Sequence, residues 1–508
     1  MSVPCPGPFS PEYRAAGVLL HVTSLPSRHG IGDLGPAAFT WLDRLHEAGL
    51  QWWQGLPVGP TGWGDSPYQA LSSFAGNGLL LSPDLLVEEG LLRSGDFEDR
   101  HFPALRVDYE SVLPFKRRLL QAAWQRFRAG ERPELKAAFE EFCHRQAGWL
   151  EDYALFRALK ERYGGGHYLH WPRELVERRP AALAAAHRDV AVVVDQARFA
   201  QFLLFRQAAA LRARAWERDV RLIGDLPFFV SPDSSDVWAH PELFRLVAEG
   251  RPRALAGVPP DAFSIDGQLW GNPVYDWDAL RATGYRWWID RVQAVLAHVH
   301  VVRLDHFRAF AAAWHVPAGA TSARSGQWVP GPGADFFSAL VGALGRLPFV
   351  VEDLGVITPD VVRLRDDFEL PGTRVLQFAF DGDWSSPHLP HNHPPNAVVY
   401  TGTHDNSTTR GWYEALPDAS RRHLWSYARR IGGGAREAVS AMLSLAWGSP
   451  AALAIAPFQD VLCLGDEARM NVPGAADGNW RWRCTRDTLS PEVFASLRDL
   501  TVSASRAS

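Results

Sequence analysis

The chain of 508 residues is 46% hydrophobic and 21% charged, with a formal net charge of −5. This composition provides for a sizeable buried core, and the slightly acidic balance argues against a nucleic-acid-binding protein, which usually presents a basic face. The sequence contains neither a signal-peptide pattern nor an apolar run of the ~20 residues that cross a bilayer, so we expect a cytoplasmic protein without membrane contact.

Cysteine and tryptophan usage narrow the class of protein further. Four cysteines lie far apart, without the spacing of a metal site or the density of a disulfide framework: Cys5, Cys143, Cys463 and Cys484. Tryptophan is abundant, with 21 residues in a chain that is 12% aromatic. Some of these rings fill the core, but rings that stand beside Gly, Asp, Asn and Gln suit a ligand with apolar faces and hydroxyl edges, such as a sugar.

Short apolar runs recur along the chain and predict strands. They are rich in β-branched and aromatic residues, as is typical of parallel strands buried on both faces. In chain order they occupy 17–26, 51–60, 220–230, 300–307, 348–355, 374–380, 397–405 and 451–461. Segments with helical periodicity lie between several of them, at 37–49, 285–299, 335–346 and 358–368, the last with Thr358 as N-cap and Pro359 in its first turn. Eight strands that alternate with helices predict an α/β fold, a single (β/α)₈ barrel over 1–508.

Two intervals between the predicted strands are too long for simple crossovers. Residues 84–218 have mainly helical periodicity, whereas residues 231–284 are rich in Pro, Gly, Asp and Trp and predict a loop-rich segment. We interpret both as insertions after barrel strands, where they would lie over the face on which barrel enzymes build their sites.

Acidic residues recur where the predicted strands end. The third predicted strand ends near Asp225, the fourth at Asp305, the fifth at Glu352 and the seventh at Asp405. Catalytic residues of barrel enzymes come from the ends of several strands, so this placement predicts an active site. The alternative is a network of buried salt bridges that holds the mouth of the barrel. Clustering of titratable groups with histidines favours the functional interpretation.

The stretch "VVRLDHFRAF" (301–310) indicates how two of these acids could differ. Side chains two apart on a strand share a face, so Arg303 should lie beside Asp305, lower its pKa and keep it ionised as a nucleophile. Glu352 has Val350 at the matching position, and an apolar setting raises a carboxyl pKa, as suits a proton donor. Such a carboxyl pair is typical of retaining glycoside chemistry. For the neighbouring Asp353 we expect a structural hydrogen bond or a helix cap.

Long motifs then identify a resemblance. "GPTGWGDSPYQ" (59–69), "GDLPFFVSPDSSDVWA" (224–239), "VRLDHFR" (302–308), "VEDLGVITPDV" (351–361) and "YTGTHDNSTTRGWY" (400–413) closely resemble the 4-α-glucanotransferases of glycoside hydrolase family 77. The likeness runs from "LLHVTSLPS" (19–27) to "GNWRWR" (478–483) and is weakest in the helical insertion. It implies a barrel with inserted subdomains and no C-terminal β-sandwich domain.

The resemblance also implies roles for individual residues. Asp305 would be the nucleophile, Glu352 the general acid/base and Asp405 the transition-state stabiliser of a retaining mechanism. The implied sugar-binding residues are Arg303, His306, His404, Asp225, Ser66, Tyr68, Trp63, Gln268, Trp270, Asp261, Phe378 and Asn471. The implied partners are α-1,4-glucans, namely maltooligosaccharides, amylose and glycogen-derived dextrins, and the chemistry requires no metal and no organic cofactor. The sequence does not indicate an oligomeric state.

The chain departs from the family pattern at two positions. Trp63 stands where the family usually has Tyr, which keeps a flat ring and loses a hydroxyl. Ala262 stands where an aromatic residue often follows "PPD", which removes a sugar platform near the acceptor. These departures predict an altered chain-length preference. Two rival interpretations of the whole chain are an α-amylase-like hydrolase with the same three carboxylates and a glucan-binding protein without catalysis.

Overall fold

The architecture is that of a closed parallel barrel, seen in a computed structural model that describes residues 9, 12–97, 101–260, 264–475 and 477–507. Over these residues the chain forms the following strands: β1 Ala15–Leu19, β2 Trp52–Gln54, β3 Arg221–Leu226, β4 Ala254–Val258, β5 Gln268–Pro273, β6 Val301–Leu304, β7 Ala312–Pro317, β8 Gln327–Pro330, β9 Phe349–Val351, β10 Gly372–Val375, β11 Ala397–Tyr400 and β12 Leu453–Pro457.

Helices surround and extend the barrel. Their bounds over the same residues are α1 Pro36–Glu47, α2 Pro83–Glu88, α3 Tyr109–Arg128, α4 Glu134–Arg162, α5 Arg173–Val176, α6 Pro180–Asp189, α7 Ala191–Glu217, α8 Ser235–Ala239, α9 Trp277–Ala282, α10 Arg286–Leu296, α11 Gly333–Leu344, α12 Pro359–Asp367, α13 Thr409–Ala415, α14 Asp418–Tyr427, α15 Ala435–Gly448, α16 Phe458–Val461 and α17 Pro491–Ser503.

The predicted barrel is confirmed. Within the described residues, eight strands close it in the order β1-β2-β3-β6-β9-β10-β11-β12, with β12 pairing in parallel with β1. Each predicted apolar run contains or overlaps one of these strands. The strands are shorter than the runs because the polar ends of the runs leave the sheet. The run at 374–380, for example, supplies only the end of β10 and then turns into a short 3₁₀ segment at Leu376–Phe378.

The barrel core is built from strands that are buried on both faces. All five residues of β1 and all five of β12 are buried, as expected for near-continuous apolar strands covered by helices on the outside. Helix α1 contributes Trp41, whose ring packs edge-on against Phe458 and Phe494 at centroid distances of 4.8 and 5.6 Å. These contacts fix the outer helix layer on the barrel wall.

The two long intervals differ in structure. Helices α2 to α7 lie between β2 and β3, and α4 packs along α7 through aromatic pairs such as Phe142 with Phe205, whose ring centroids are 5.2 Å apart. The loop-rich interval contains β4 and β5, which its composition did not predict. They join β7 and β8 in an antiparallel sheet of order β5-β4-β7-β8 beside the barrel mouth. The bounds of the two predicted subdomains, 84–218 and 231–284, stay predictions.

A fully buried arginine, Arg506, lies at the amino-terminal end of the barrel strands. All five N–H groups of the Arg506 guanidinium point at backbone carbonyls: Trp447 O (2.7 Å), Ser449 O (2.6 Å), Ala451 O (2.8 Å), Ala452 O (3.2 Å) and Ala15 O (2.8 Å). Burial, with some repulsion from Arg14, lowers the pKa of Arg506 to about 9. Arg506 thereby ties β1 to the segment that enters β12.

We expect Arg506→Met to destabilise the protein by about 2–4 kcal/mol, because several of these buried carbonyls lose their donor. Thermal unfolding followed by circular dichroism measures the effect. Arg498→Met on the exposed face of α17 is the matched control and should leave the unfolding temperature unchanged. Equal unfolding temperatures for Arg506→Met and the unsubstituted protein would contradict the anchoring role.

Candidate active site

Polar side chains from four strands meet at the carboxyl-terminal end of the barrel. Asp225 lies in β3, Asp305 and Glu352 follow β6 and β9 directly, and Asp405 lies five residues beyond the end of β11. Strands β3, β6 and β9 are neighbours, and their register pairs Asp225 with Arg303. The predicted convergence of acids at one end of the barrel is therefore present.

Arg303 is the cation at the centre of this group. Its Nη1 donates to both carboxylate oxygens of Asp225, at 2.8 and 2.9 Å, and to Oδ1 of Asp305 at 3.0 Å. The Asp225 side chain is fully buried and that of Arg303 is almost so. Strand alternation predicted Arg303 beside Asp305 alone, but the guanidinium is shared, and its shorter hydrogen bonds are those to Asp225 on the neighbouring strand.

The expectation that Arg303 would hold the pKa of Asp305 low is wrong. Burial raises this pKa, Arg303 opposes the shift, and the carboxylates of Asp225 and Asp405 raise the pKa further, to about 7. The physical reason is that one guanidinium already neutralised by Asp225 cannot offset both the lost hydration of Asp305 and the repulsion from two other acids.

Glu352 is held by backbone groups. Its Oε2 accepts from the N–H of His306 at 2.8 Å, and its Oε1 accepts from the N–H of Leu354 at 3.1 Å. Burial raises the pKa of Glu352 to about 8, with Arg303 opposing the shift and the Asp305 carboxylate adding to it. The predicted direction is confirmed for this residue, and the pKa of Glu352 stays above that of Asp305.

Asp353 points away from the site and is structural, as expected. Its Oδ1 accepts from the N–H of Thr373 at 2.6 Å, and its Oδ2 pairs with Arg365 of α12 at 2.7 Å. Thr358 is the N-cap residue of α12 and Pro359 opens its first turn, as predicted, but the Thr358 hydroxyl accepts from Arg308 and makes no capping hydrogen bond to the helix backbone.

Tyr68 and His404 extend the Arg303 network across the barrel mouth. The Tyr68 hydroxyl donates to Oδ2 of Asp225 at 2.6 Å and lies 2.8 Å from Nε2 of His404. Because the single phenol proton is used on Asp225, His404 must carry its proton on Nε2 and donate it to Tyr68. The two rings stack, with centroids 5.3 Å apart. Burial lowers the pKa of His404, which favours the neutral imidazole.

Asp405 is the least enclosed of the acids, with 46% of its side chain exposed. Asn471 Nδ2 donates to its Oδ1 at 2.6 Å, and Arg469 Nη2 donates to its backbone oxygen at 2.5 Å. Its Oδ1 also lies 3.4 Å from Nε2 of His404. Asn471 therefore lies beside Asp405, although the two are 66 positions apart.

His306 stands between the acids and the antiparallel sheet. Its backbone is in the left-handed region, with φ of 50°, an unfavourable conformation for a residue other than glycine and one often found at functional sites. The ring packs edge-on against Trp270 of β5 at 4.9 Å, and Trp270 Nε1 donates to Gln268 Oε1 at 3.1 Å. Burial lowers the pKa of His306 to about 4, which leaves its ring neutral.

The remaining predicted residues lie further from this network. Ser66 accepts from the N–H of Tyr68 at 3.2 Å, whereas Trp63 is 82% exposed and Phe378 is 39% exposed. Among the contacts of the described residues, none joins Trp63 or Phe378 to the carboxylates. Asp261 and Ala262 lie outside the described residues.

One buried histidine at the site was not predicted. His21 follows β1 and lines, together with His404 and Arg469, a small cavity beside the site. Burial lowers the pKa of His21 to about 3, with repulsion from His404 as the smaller cause. The sequence carries a signal, since His21 breaks the apolar run "GVLLHVTSLP" as Asp305 breaks its own, but the prediction of the site rested on acids at strand ends.

Over the part of the chain that the structure describes, His, Cys, Asp and Glu side chains form no group of three or more able to hold a metal ion. Within the same residues, no helix is both long and apolar enough to cross a membrane.

The sequence of the chain is similar to those of known proteins from one family. A family model described as 4-alpha-glucanotransferase, that of glycoside hydrolase family 77, matches residues 20–489. A 4-alpha-glucanotransferase from Thermus thermophilus is 48% identical over 498 residues, which cover 97% of this chain and 99% of the relative. The chloroplastic/amyloplastic 4-alpha-glucanotransferase of Solanum tuberosum is 42% identical, covering 96% of this chain and 85% of the relative.

A solved structure is similar over the whole fold. The amylomaltase from Streptococcus agalactiae in complex with acarbose superimposes with a TM-score of 0.94 at 34% identity, covering 97% of this chain and 100% of that one.

Proposed function

Because the chain belongs to the 4-alpha-glucanotransferases of glycoside hydrolase family 77, which act on α-1,4-glucans, we propose that it works by a retaining double displacement through a covalent glycosyl-aspartate. A segment of one α-1,4-glucan passes to the 4-hydroxyl of another glucan or of glucose. The roles assigned below to individual residues belong to this proposal.

In the first step Asp305 attacks the anomeric carbon of the donor while Glu352 protonates the bridging oxygen. The bond between the anomeric carbon and that oxygen breaks, and the reducing-end fragment leaves with the proton of Glu352. The anomeric carbon is then bound to the Asp305 carboxylate, and Glu352 is ionised. Asp405 accepts hydrogen bonds from sugar hydroxyls beside the reacting carbon, and these bonds strengthen as positive charge develops there.

In the second step the 4-hydroxyl of an acceptor glucan displaces Asp305, and Glu352 takes the hydroxyl proton. Both carboxyl groups return to their starting states, and the new linkage has the α configuration of the old one. Transfer prevails over hydrolysis when a bound acceptor presents its hydroxyl at an effective concentration above that of water. Trp270 packs against His306 and Gln268 is bonded to Trp270, and there the two side chains would meet the acceptor and exclude water.

One observation carries the assignment: the N–H of His306, the residue after Asp305, donates to Glu352 at 2.8 Å. This bond seats the proposed acid/base next to the end of the strand that presents the proposed nucleophile. In this proposal the reacting sugar is hydrogen-bonded by four side chains, those of Arg303, Asp225, Tyr68 and His404. Ser66 and Asn471 lie next to them. Trp63 and Phe378 complete the proposed sugar contacts at a greater distance, and Asp261 is included on the family resemblance alone.

Incubation with maltotriose followed by resolution of the products tests this function. Transfer yields glucose together with a ladder of longer oligomers at a constant number of reducing ends. Glucose and maltose alone, with rising reducing ends, indicate an α-amylase-like hydrolase. An unchanged substrate indicates a glucan-binding protein, and either of these two results contradicts the proposal.

The pH dependence of kcat/KM should form a narrow bell. The first step needs ionised Asp305 and protonated Glu352, so activity should fall as the pH drops below about 7 and as it rises above about 8. The two carboxyls interact, so the two apparent pKa values of the profile belong to the pair and not to either residue alone. Initial rates of glucose release from maltotriose across the pH range measure them. An acidic limb near the ordinary carboxyl value of ~4 would show that Asp305 is not the group whose ionisation limits the rate.

A further inference from the structure

Arg469 makes contacts that suggest a specific task. The residue lies just before Asn471 in the segment after β12, and it is partly buried. Its guanidinium donates through Nη2 to the backbone oxygen of Asp405 (2.5 Å), through Nη1 to the hydroxyl of Ser407 (3.1 Å) and through Nε to the backbone oxygen of Asn471 (2.8 Å). One rigid, planar group thus joins three residues at the site.

These contacts are not those of an ordinary surface arginine. All three acceptors are uncharged. The bonds therefore fix the relative positions of the three residues and do not neutralise an acid. Two of them are the backbone oxygens of Asp405 and Asn471, whose side chains contact each other at 2.6 Å. The N–H of Asn471 also donates to the backbone oxygen of His404 at 3.1 Å. The segments 404–407 and 469–471 are therefore joined by four hydrogen bonds, two of them from Arg469, whose third bond ties it to Asn471 within its own segment.

Asp405 needs such support more than the other two acids do. Asp305 follows its strand directly and contacts Arg303, and Glu352 accepts two backbone N–H groups. Asp405 lies beyond its strand on a loop and is half exposed. Burial does not hold its carboxylate in place, and a displacement of about 1 Å at a reacting centre costs about 100-fold in rate.

We propose that Arg469 is a positioning residue for Asp405. It fixes the backbone of Asp405 relative to that of Asn471. The Asn471 side chain then donates to Oδ1 of Asp405, and Oδ2 of Asp405 is left directed at the sugar hydroxyls. Arg469 does not touch the substrate in this arrangement. The inference deepens the proposed function and rests on the role given there to Asp405.

A double-mutant cycle tests the proposal. We expect Arg469→Met to lower kcat for maltotriose disproportionation by about 100-fold with KM changed less than about threefold, because the lost interaction acts in the transition state. In the Asp405→Asn background the same Arg469→Met change should lower kcat less than about threefold. A residue that acts through Asp405 has little left to lose once the carboxylate is gone.

Three comparisons make the test specific. Arg469→Lys keeps the charge but cannot span three acceptors, so it should also lower kcat by at least about tenfold. Ser407→Ala removes the one acceptor that does not belong to the Asp405–Asn471 pair, and it should cost less than about threefold. Arg410→Met is the matched surface control, because Arg410 follows the same loop and pairs only with Glu414 among the described residues. It should retain full activity.

The outcomes separate this inference from the proposed function. Equal losses from Arg469→Met in the two backgrounds would overturn the positioning role, because a purely structural defect adds to the loss of Asp405. So would a rise in KM without loss of kcat. If Asp405→Asn alone keeps full activity, the proposed role of Asp405 fails, and the positioning role fails with it. If Arg469→Met proves unfolded by circular dichroism, Arg469→Lys serves in the same cycle with the same criteria.

Discussion

Asp305→Asn should abolish the maltotriose ladder, with kcat/KM reduced by at least about 10⁴-fold, a loss typical of removed nucleophiles. The amide keeps the size of the side chain and can still face Arg303, so the fold should persist. The ladder is measured by chromatography of the products, and Asp278→Asn on an exposed face of α9 is the matched control. A surviving ladder would contradict the assignment of Asp305.

The stereochemistry of azide rescue makes this prediction sharper. In Asp305→Ala a cavity replaces the carboxylate, and azide can attack the anomeric carbon from the side that Asp305 occupied. One inversion of an α-linked donor gives a β-glycosyl azide, since a single displacement inverts the anomeric centre. Nuclear magnetic resonance of the product distinguishes the two anomers. An α-azide from this variant would show that another nucleophile is present.

Glu352→Ala should reduce maltotriose disproportionation by about 10²–10⁴-fold, because both displacements lose their proton transfer. The defect should depend on the leaving group. With α-maltosyl fluoride as donor, departure of fluoride needs no general acid, so the glycosyl-enzyme should form. Azide then accepts the glycosyl group without a general base and yields an α-azide after two inversions. Equal losses with maltotriose and with the fluoride would contradict the acid/base role.

The Glu352 substitution has a natural control in Asp353, the adjacent acid. Asp353 pairs with Arg365 and Thr373 and faces away from the site. Asp353→Asn should lower thermal stability through loss of the ion pair. The kcat of this variant should not respond to azide. The pair of substitutions separates a chemical role from a structural role at two consecutive positions.

The barrel was predictable from the sequence because its strands are buried on both faces. Continuous apolar runs mark such strands, and the runs ending near Asp305 and Glu352 located β6 and β9. The antiparallel sheet was missed for the opposite reason. Strand β8 has no fully buried residue, and β5 has only two. A short, half-exposed strand rich in Gly and Pro has the composition of a loop.

The acids at the site were predictable one by one, but their partners were not. Strand alternation placed Arg303 beside Asp305, since both belong to one segment. It could not provide Asp225 as the main partner of Arg303, because that contact depends on the register between β3 and β6. The pKa of Asp305 was misjudged for the same reason. The shift depends on Asp225 and Asp405, two acids that the chain brings in from 80 and 100 positions away.

The anchor between Arg506 and β1 has a consequence for how the molecule assembles. Ala15 of β1 pairs with Leu453 of β12, so the barrel closes through contacts between distant parts of the chain. Until β12 docks, β1 and β11 present unpaired backbone edges, which are templates for pairing with other chains. Contacts so far apart in sequence form slowly. Refolding should therefore compete with aggregation, and yield should fall as protein concentration rises.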